Sequence, residues 1–247
     1  MTTAIILAGG LGKRLRSVVN DRPKPMALIQ GKPFLDYQMR YWQAQDIDSF
    51  ILSVGYKHDM ITDYFGNEFN GSSIQYAIEE TPRGTGGGLM IALENLNSNE
   101  EFLLLNGDTY FTVDLNSLRN YADANTADFT FAVFKTTDND RYMRMNVAAD
   151  GQVLELKQSA ASSVNLASGG VYWVRDKAMF ASFKDLQMSL ISFEEQMLPS
   201  LMSAKKRIFA KAYATTFIDI GVPVDYLRAG MVLTQPSKEQ AAGHLVE

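Results

Sequence analysis

The sequence predicts an α/β fold, a mixed, mainly parallel sheet flanked by helices. Three observations carry this. Short apolar, β-rich runs alternate with segments of helical spacing through the first hundred residues. At 247 residues the chain is long enough to bury a large core in one domain. Glycine- or aspartate-bearing segments stand at the ends of three strand candidates, where parallel sheets open their ligand crevice.

The elements follow in order. TTAIILA reads as a buried strand, and FLDYQMRYWQAQ as a helix with Phe34, Tyr37, Tyr41 and Trp42 on one side. SFILSVGY is a second strand, MITDYFGNEF a short helix and SIQYAIEE a third strand. TPRGTGGG reads as a glycine-rich segment before a helix, LMIALENL, and EFLLLNGD as a fourth strand ending on a turn. The second half is richer in strands: DFTFAVFK, RMNVAAD, QVLELKQ, GGVYWVRD, KRIFAKAY and TTFIDIG. Helices are expected around 176–183 and 192–203, with a last one over VDYLRAGMVL. Residues 1–235 read as one domain and 236–247 as a polar tail.

Composition narrows the function. The net charge is -5, which disfavours broad binding to nucleic acid or anionic membrane. There is no cysteine, so thiolate catalysis and Cys-ligated zinc are out. AIILA is too short for a signal-peptide core, and no apolar run reaches the roughly 18 residues of a membrane span. The expectation is a cytoplasmic protein, with homo-oligomerisation left open.

Against this acidic background, residues 7–26, LAGGLGKRLRSVVNDRPKPM, hold three glycines and five basic residues. Successive backbone N–H groups in such a loop cradle phosphate oxygens. A P-loop needs Ser or Thr after Gly-Lys, but Arg14 follows Gly12-Lys13. A dinucleotide fingerprint needs a third glycine, where Leu15 stands. What remains is a set of N–H donors plus cations, suited to a triphosphate. Asp108, in Asn106-Gly107-Asp108, and Asp219, in IDIGVP, each follow an apolar run. Each fits a turn or cap acid, and the two together fit a shared Mg²⁺, which takes one or two carboxylates plus phosphate and water.

Taken together, LAGGLGKRL, PKPM, RGTGG, NGD and FIDIGVP resemble the sugar-1-phosphate nucleotidyltransferases, in order and spacing from about residue 3 to 233. YKHDMITDYFG, RGTGGG and DNDRY point to the D-glycero-α-D-manno-heptose 1-phosphate guanylyltransferase subgroup. The resemblance implies the Rossmann-like fold of nucleotide-diphospho-sugar transferases and a reaction joining GTP, or another nucleoside triphosphate, to a sugar 1-phosphate with release of pyrophosphate. It also implies residue roles. Leu7, Ala8, Gly9, Gly10, Gly12, Lys13 and Arg14 would hold the nucleotide, with Arg14 on the leaving pyrophosphate. Lys24 would contact the α-phosphate and the sugar phosphate, and Asp108 and Asp219 the Mg²⁺. Gly84 and Thr85 would border the base. Asn106, Tyr142, Lys157 and Gly170 would face the sugar phosphate. Glu79 stands where thymidylyl- and uridylyltransferases carry Gln. An ionised Glu only accepts, and guanine offers two adjacent donors, so Glu79 favours GTP.

Three positions depart from the family pattern, all around the sugar. Met143 follows Tyr142 where glycine is usual. Gln158-Ser159 stands at the position of a Glu-Lys pair, with Lys157 as the substitute cation. Ser168 precedes Gly169-Gly170 in place of Asn. Other acceptors therefore stay open: mannose, another hexose, N-acetylmuramic acid or phosphocholine, with UTP or CTP as donor. A catalytically silent binder of nucleotide sugars also stays open. Lys13 and Arg16 fit solvated loop charges as well as a site. Trp42, Phe34 and Tyr37 read as core, Trp173 as core or sugar wall, and His58 and His244 lack metal-ligand spacing.

Overall fold

The computed structural model describes residues 2–12, 14–97, 100–137, 141–157, 166–186 and 190–233. The first half runs β1 (Thr3–Leu7), a small hairpin of β2 (Leu28–Ile29) and β3 (Lys32–Pro33), α1 (Phe34–Gln43), β4 (Ser49–Val54), α2 (Asp59–Phe65), β5 (Glu68–Phe69), β6 (Ser72–Ile78), α3 (Gly84–Glu94) and β7 (Phe102–Asn106). Next come β8 (Thr109–Phe111), α4 (Leu115–Ala124), β9 (Phe129–Lys135), β10 (Arg144–Val147), β11 (Val153–Lys157) and β12 (Leu166–Val174). A 3₁₀ segment (Lys177–Leu186), a π-turn (Phe193–Met197), α5 (Leu198–Ser203), β13 (Ile208–Ala212), β14 (Phe217–Asp219) and α6 (Pro223–Leu233) complete the described chain.

Ten strands among the described residues form one mixed sheet. Its first half, β6-β4-β1-β7, is parallel throughout. Its second half turns around β12, which lies antiparallel to β7 and to β9, while β13 runs parallel to β9. Side chains alternate across each strand. Ile6, Leu52 and Leu105 therefore enter one core, with Trp42 of α1 and Leu118 of α4, while Ile5, Ile51 and Leu104 enter the other, with Leu89 of α3 and Phe193 of the π-turn. Both faces are covered, as parallel strands require. Each fully buried aliphatic or aromatic side chain contributes about 1.5–3 kcal/mol to this packing.

Helix α1 ties the core to the crevice. Phe34, Leu35, Met39 and Trp42 are buried, and Asp36 pairs with Arg40 one turn on at 2.5 Å. Its buried Gln38 donates through Nε2 to the carbonyls of Asn106 and Thr109, both at 2.8 Å. The Asn106-Gly107-Asp108 turn is thereby held from below.

One expectation is corrected. GTGGG is not part of a loop before a helix: α3 begins at Gly84 and contains all of it. The reason is space. A Cβ on Gly88 would lie 2.5 Å from both Glu79 Oε1 and Ser53 Oγ, and one on Gly86 would lie 2.6 Å from Met197 Sδ. The glycines bring helix backbone against its neighbours, a use that composition alone does not separate from a turn. The expected tail at 236–247, with His244, lies outside the described residues. So do Lys13, Gln158 and Ser159, and the side chain of Lys157.

Candidate active site

The three segments expected at strand ends do converge, after β1, β6 and β7, on one cavity of about 720 Å³. Leu7, Ala8, Gly9, Gly10, Gly12 and Arg14 line it from the first loop, Lys24 from the adjoining 3₁₀ turn, Glu79, Gly84 and Thr85 from the β6–α3 corner, and Asn106 and Asp108 from the end of β7. Tyr142, Gly170 and Asp219 line it from the second half. The loop is fixed at both ends, by the N–H of Ala8 donating to the Ser53 carbonyl at 2.7 Å and by buried Leu15. Arg14 is exposed at the rim. Of Lys157 only the backbone is described, opposite Arg144 in the β10–β11 ladder.

Asp108 and Asp219 come from residues 111 apart in the chain, and a two-stranded ribbon joins them. β8 and β14 pair antiparallel with Thr109 opposite Asp219, and the N–H of Ile220 donates to the Asp108 carbonyl at 3.0 Å. Lys24 lies between the carboxylates: its ammonium forms an ion pair with Asp108 and lies 3.9 Å from Asp219 Oδ1. Burial pushes the Asp219 carboxyl above its usual range and the Asp108 charge adds to this, while Lys24, the Gly221 N–H and Arg141 oppose it. Two hard oxygen donors with this much mutual repulsion, open to a phosphate-sized cavity, fit a divalent cation.

The Arg141 guanidinium completes the cluster. It donates to the Asp219 carbonyl at 2.9 Å and to Asp219 Oδ2 at 3.2 Å, and it also binds Asp225 of α6. It lies 4.9 Å from the centroid of the Tyr142 ring. Tyr142 in turn packs against Phe134 and Phe217, which stack on each other at 4.0 Å.

At the β6–α3 corner, Glu79 is partly buried and its carboxyl is raised by that burial, while the Arg83 N–H donates to its Oε2 at 2.9 Å. Gly9 lies against it, since a Cβ there would come within 2.7 Å of Oε1. The remaining wall is Ser168, Tyr172, Ser192 and Glu194 with Asn106. Thr85 Oγ1 donates to Glu194 Oε2 at 2.8 Å. The pairing of β12 with β9 skips between Ser168 and Val171, so Gly169 and Gly170 form a bulge that turns this stretch toward the cavity. Gly170 has φ +70° and abuts Thr109 and Asn106, where no Cβ fits.

Arg141, Tyr172, Glu194 and Phe217 line the cavity although the sequence did not single them out. Arg141 was visible only as part of DNDRY, and Glu194 only as one acid in a helix-like segment. Trp173 proves to be core, 1% exposed beneath Arg119. His58 precedes α2 beside Asp59, and no group of three His, Cys, Asp or Glu among the described residues has metal-site geometry.

Comparison with known proteins identifies the family. The Nucleotidyl transferase family matches residues 3–236. D-glycero-alpha-D-manno-heptose 1-phosphate guanylyltransferase of Aneurinibacillus thermoaerophilus is 43% identical over 92% of this chain and 96% of its own. The protein of that name from Campylobacter jejuni is 40% identical over 90% and 96%. The crystal structure of HddC from Yersinia pseudotuberculosis complexed with GMP-PN superposes with a TM-score of 0.80 at 33% identity, covering 94% of this chain and 99% of that one. A crystal structure of a putative glucose-1-phosphate thymidylyltransferase from Bacillus anthracis, 18% identical with a TM-score of 0.83, shares the fold. With the family match spanning residues 3–236 and two named guanylyltransferases at 40–43% identity, this chain is an enzyme of the nucleotidyl transferase family.

Proposed function

We propose that this enzyme transfers GMP from GTP to D-glycero-α-D-manno-heptose 1-phosphate, making a GDP-sugar and pyrophosphate. The observation that carries this is the placement of Lys24 between Asp108 and Asp219, at the junction of the glycine loop and the second-half wall. The likeness to two heptose 1-phosphate guanylyltransferases supports the choice of base and sugar.

The reaction needs no covalent nucleophile. A phosphate oxygen of the sugar attacks the α-phosphorus, and the bond to the β-phosphate oxygen breaks with its electron pair leaving on pyrophosphate. The backbone N–H groups of Gly9, Gly10 and Gly12, with Arg14, receive the β,γ-phosphates. Lys13 joins them as a candidate. Lys24 faces both the α-phosphate and the incoming phosphate, so it offsets their repulsion and aligns them. Asp108 and Asp219 would hold Mg²⁺, which supplies charge neutralisation on the phosphates. Gly84 and Thr85 border the base, and Glu79 accepts from guanine N1–H and N2–H. Asn106, Tyr142, Gly170 and Lys157 face the acceptor.

No helix among the described residues is long and apolar enough to cross a membrane. A cytoplasmic setting, where GTP is supplied, fits this reading.

Pyrophosphate release with Mg²⁺ tests it, with five nucleoside triphosphates crossed against the heptose, mannose and glucose 1-phosphates. Turnover confined to GTP with the heptose is expected. Turnover with a different pair replaces the base or the sugar. Absence of turnover with every pair, from folded protein, would overturn the reading.

A further inference from the structure

The cavity has three kinds of wall. Arg14 and Lys24 make a cationic one for phosphates, and Glu79 faces the base. The third, Glu194 with Tyr172, Ser168, Asn106 and the neighbouring Glu195, holds no cation. It repels phosphate and suits a neutral ligand rich in O–H donors. We propose that Glu194 is a specificity-determining residue whose carboxylate accepts hydrogen bonds from a vicinal pair of hydroxyls on the acceptor sugar. This rests on the reading that the acceptor is a sugar 1-phosphate.

Four observations support it. First, the carboxylate is preorganised. Thr85 Oγ1 accepts from the Phe193 N–H at 2.9 Å, so its single proton is directed to Glu194 Oε2 at 2.8 Å. The Ser192 side chain accepts from the Glu195 N–H at 3.1 Å, fixing the turn that carries Glu194. Second, Thr85 is the sole side-chain donor to this carboxylate among the described residues, so its remaining capacity faces the cavity. Third, the wall has surplus acceptors. Asn106 Oδ1 is buried with no partner among the described residues, and Ser168 Oγ already donates to the Tyr172 hydroxyl at 3.2 Å. A buried acceptor without a donor is costly, and a polyol supplies donors. Fourth, residues 158–165, QSAASSVN, contain no acid, where the resemblance implies a Glu-Lys pair. Glu194 brings a carboxylate to the same ligand from another element. Burial also raises this carboxyl, so a ligand that donates to it offsets the cost of its charge.

The test measures initial rates for wild type, Glu194→Gln and Glu194→Ala, varying GTP and the sugar 1-phosphate separately. The KM for the sugar 1-phosphate should rise on the order of 10- to 100-fold in Glu194→Ala and by less in Glu194→Gln, which keeps one acceptor. The KM for GTP should stay at its wild-type value, and kcat should fall by less than KM rises. An unchanged acceptor KM would overturn the assignment, and so would a matching rise in the KM for GTP, which would place Glu194 at the base. Folding is checked by Tm, which should not fall in Glu194→Gln because a buried charge is removed. If wild type prefers a sugar other than the heptose, the same comparison is made on that sugar, so an error in the acceptor is separated from an error in Glu194.

Discussion

The two halves of the cavity are built by different means. In the first, most of the lining follows the end of a parallel strand: Gly9 after β1, Glu79 after β6, Asp108 after β7, with Lys24 added from a 3₁₀ turn. In the second, the wall is gathered from the residues before β10, from β12, the π-turn and β14, and it depends on a bulge and on long-range ion pairs such as Arg141 with Asp225 of α6. A nucleoside triphosphate presents the same phosphates whichever sugar follows, so compact loops suffice to receive it. The acceptor differs, and a wall made of separable pieces can be changed without disturbing the phosphates.

Several measurements can break or sharpen this contrast. The largest effect should come from Lys24→Ala, which removes the cation shared by both halves. A loss in kcat on the order of 10²–10³-fold is expected, and a loss below tenfold would remove Lys24 from the reaction centre. Gly170→Ala should strike only the second half. Its Cβ would lie 2.5 Å from Thr109 Oγ1 and 2.9 Å from Asn106 Cβ, at φ +70°. A stability loss of about 1–3 kcal/mol is expected from denaturant melts, with a raised acceptor KM and an unaltered KM for GTP. Glu79→Gln should strike only the first half, lowering the preference for GTP over UTP about tenfold, or about 1.4 kcal/mol; an equal ratio in both proteins would acquit Glu79 of base selection.

The smallest effects lie in pH dependence. The Glu79 carboxyl is raised by burial. As pH falls below neutrality it should protonate before an exposed Glu would, and the KM for GTP should climb in wild type but not in Glu79→Gln. Stability runs the other way. A raised carboxyl favours folding while protonated and loses that contribution as pH rises through its folded value. Glu79→Gln should therefore melt above wild type at pH 7, with the gain vanishing below pH 4.5, the ordinary value.

Most of the first half could be read from sequence because its motifs are contiguous and its strands are bounded by glycine and aspartate. The strands of the second half were legible as well. The bulge at Gly169-Gly170 was not, since register belongs to a pair of strands and not to one. Arg141 escaped for a similar reason: its partners Asp219 and Asp225 lie 78 and 84 residues away. Glu194 was hidden because one acid in a helix-like run is ordinary until Thr85, 109 positions earlier, is seen to hold it. The start of α3 was not legible, because a run of glycines does not signal a helix until close packing explains it.

Those glycines also constrain which substitutions the chain can accept. Within a helix each forgoes about 1 kcal/mol relative to alanine, so the first turns of α3 are held in place by their neighbours. Gly86 lies against Ile191 and Met197, and an added methyl would come 2.6 Å from the Met197 sulfur. Gly86→Ala should be damaging alone and largely rescued by shortening Met197 in the same molecule, giving a large non-additive term in a double-mutant cycle. The start of α3 can therefore drift only when two distant stretches of chain change as a pair.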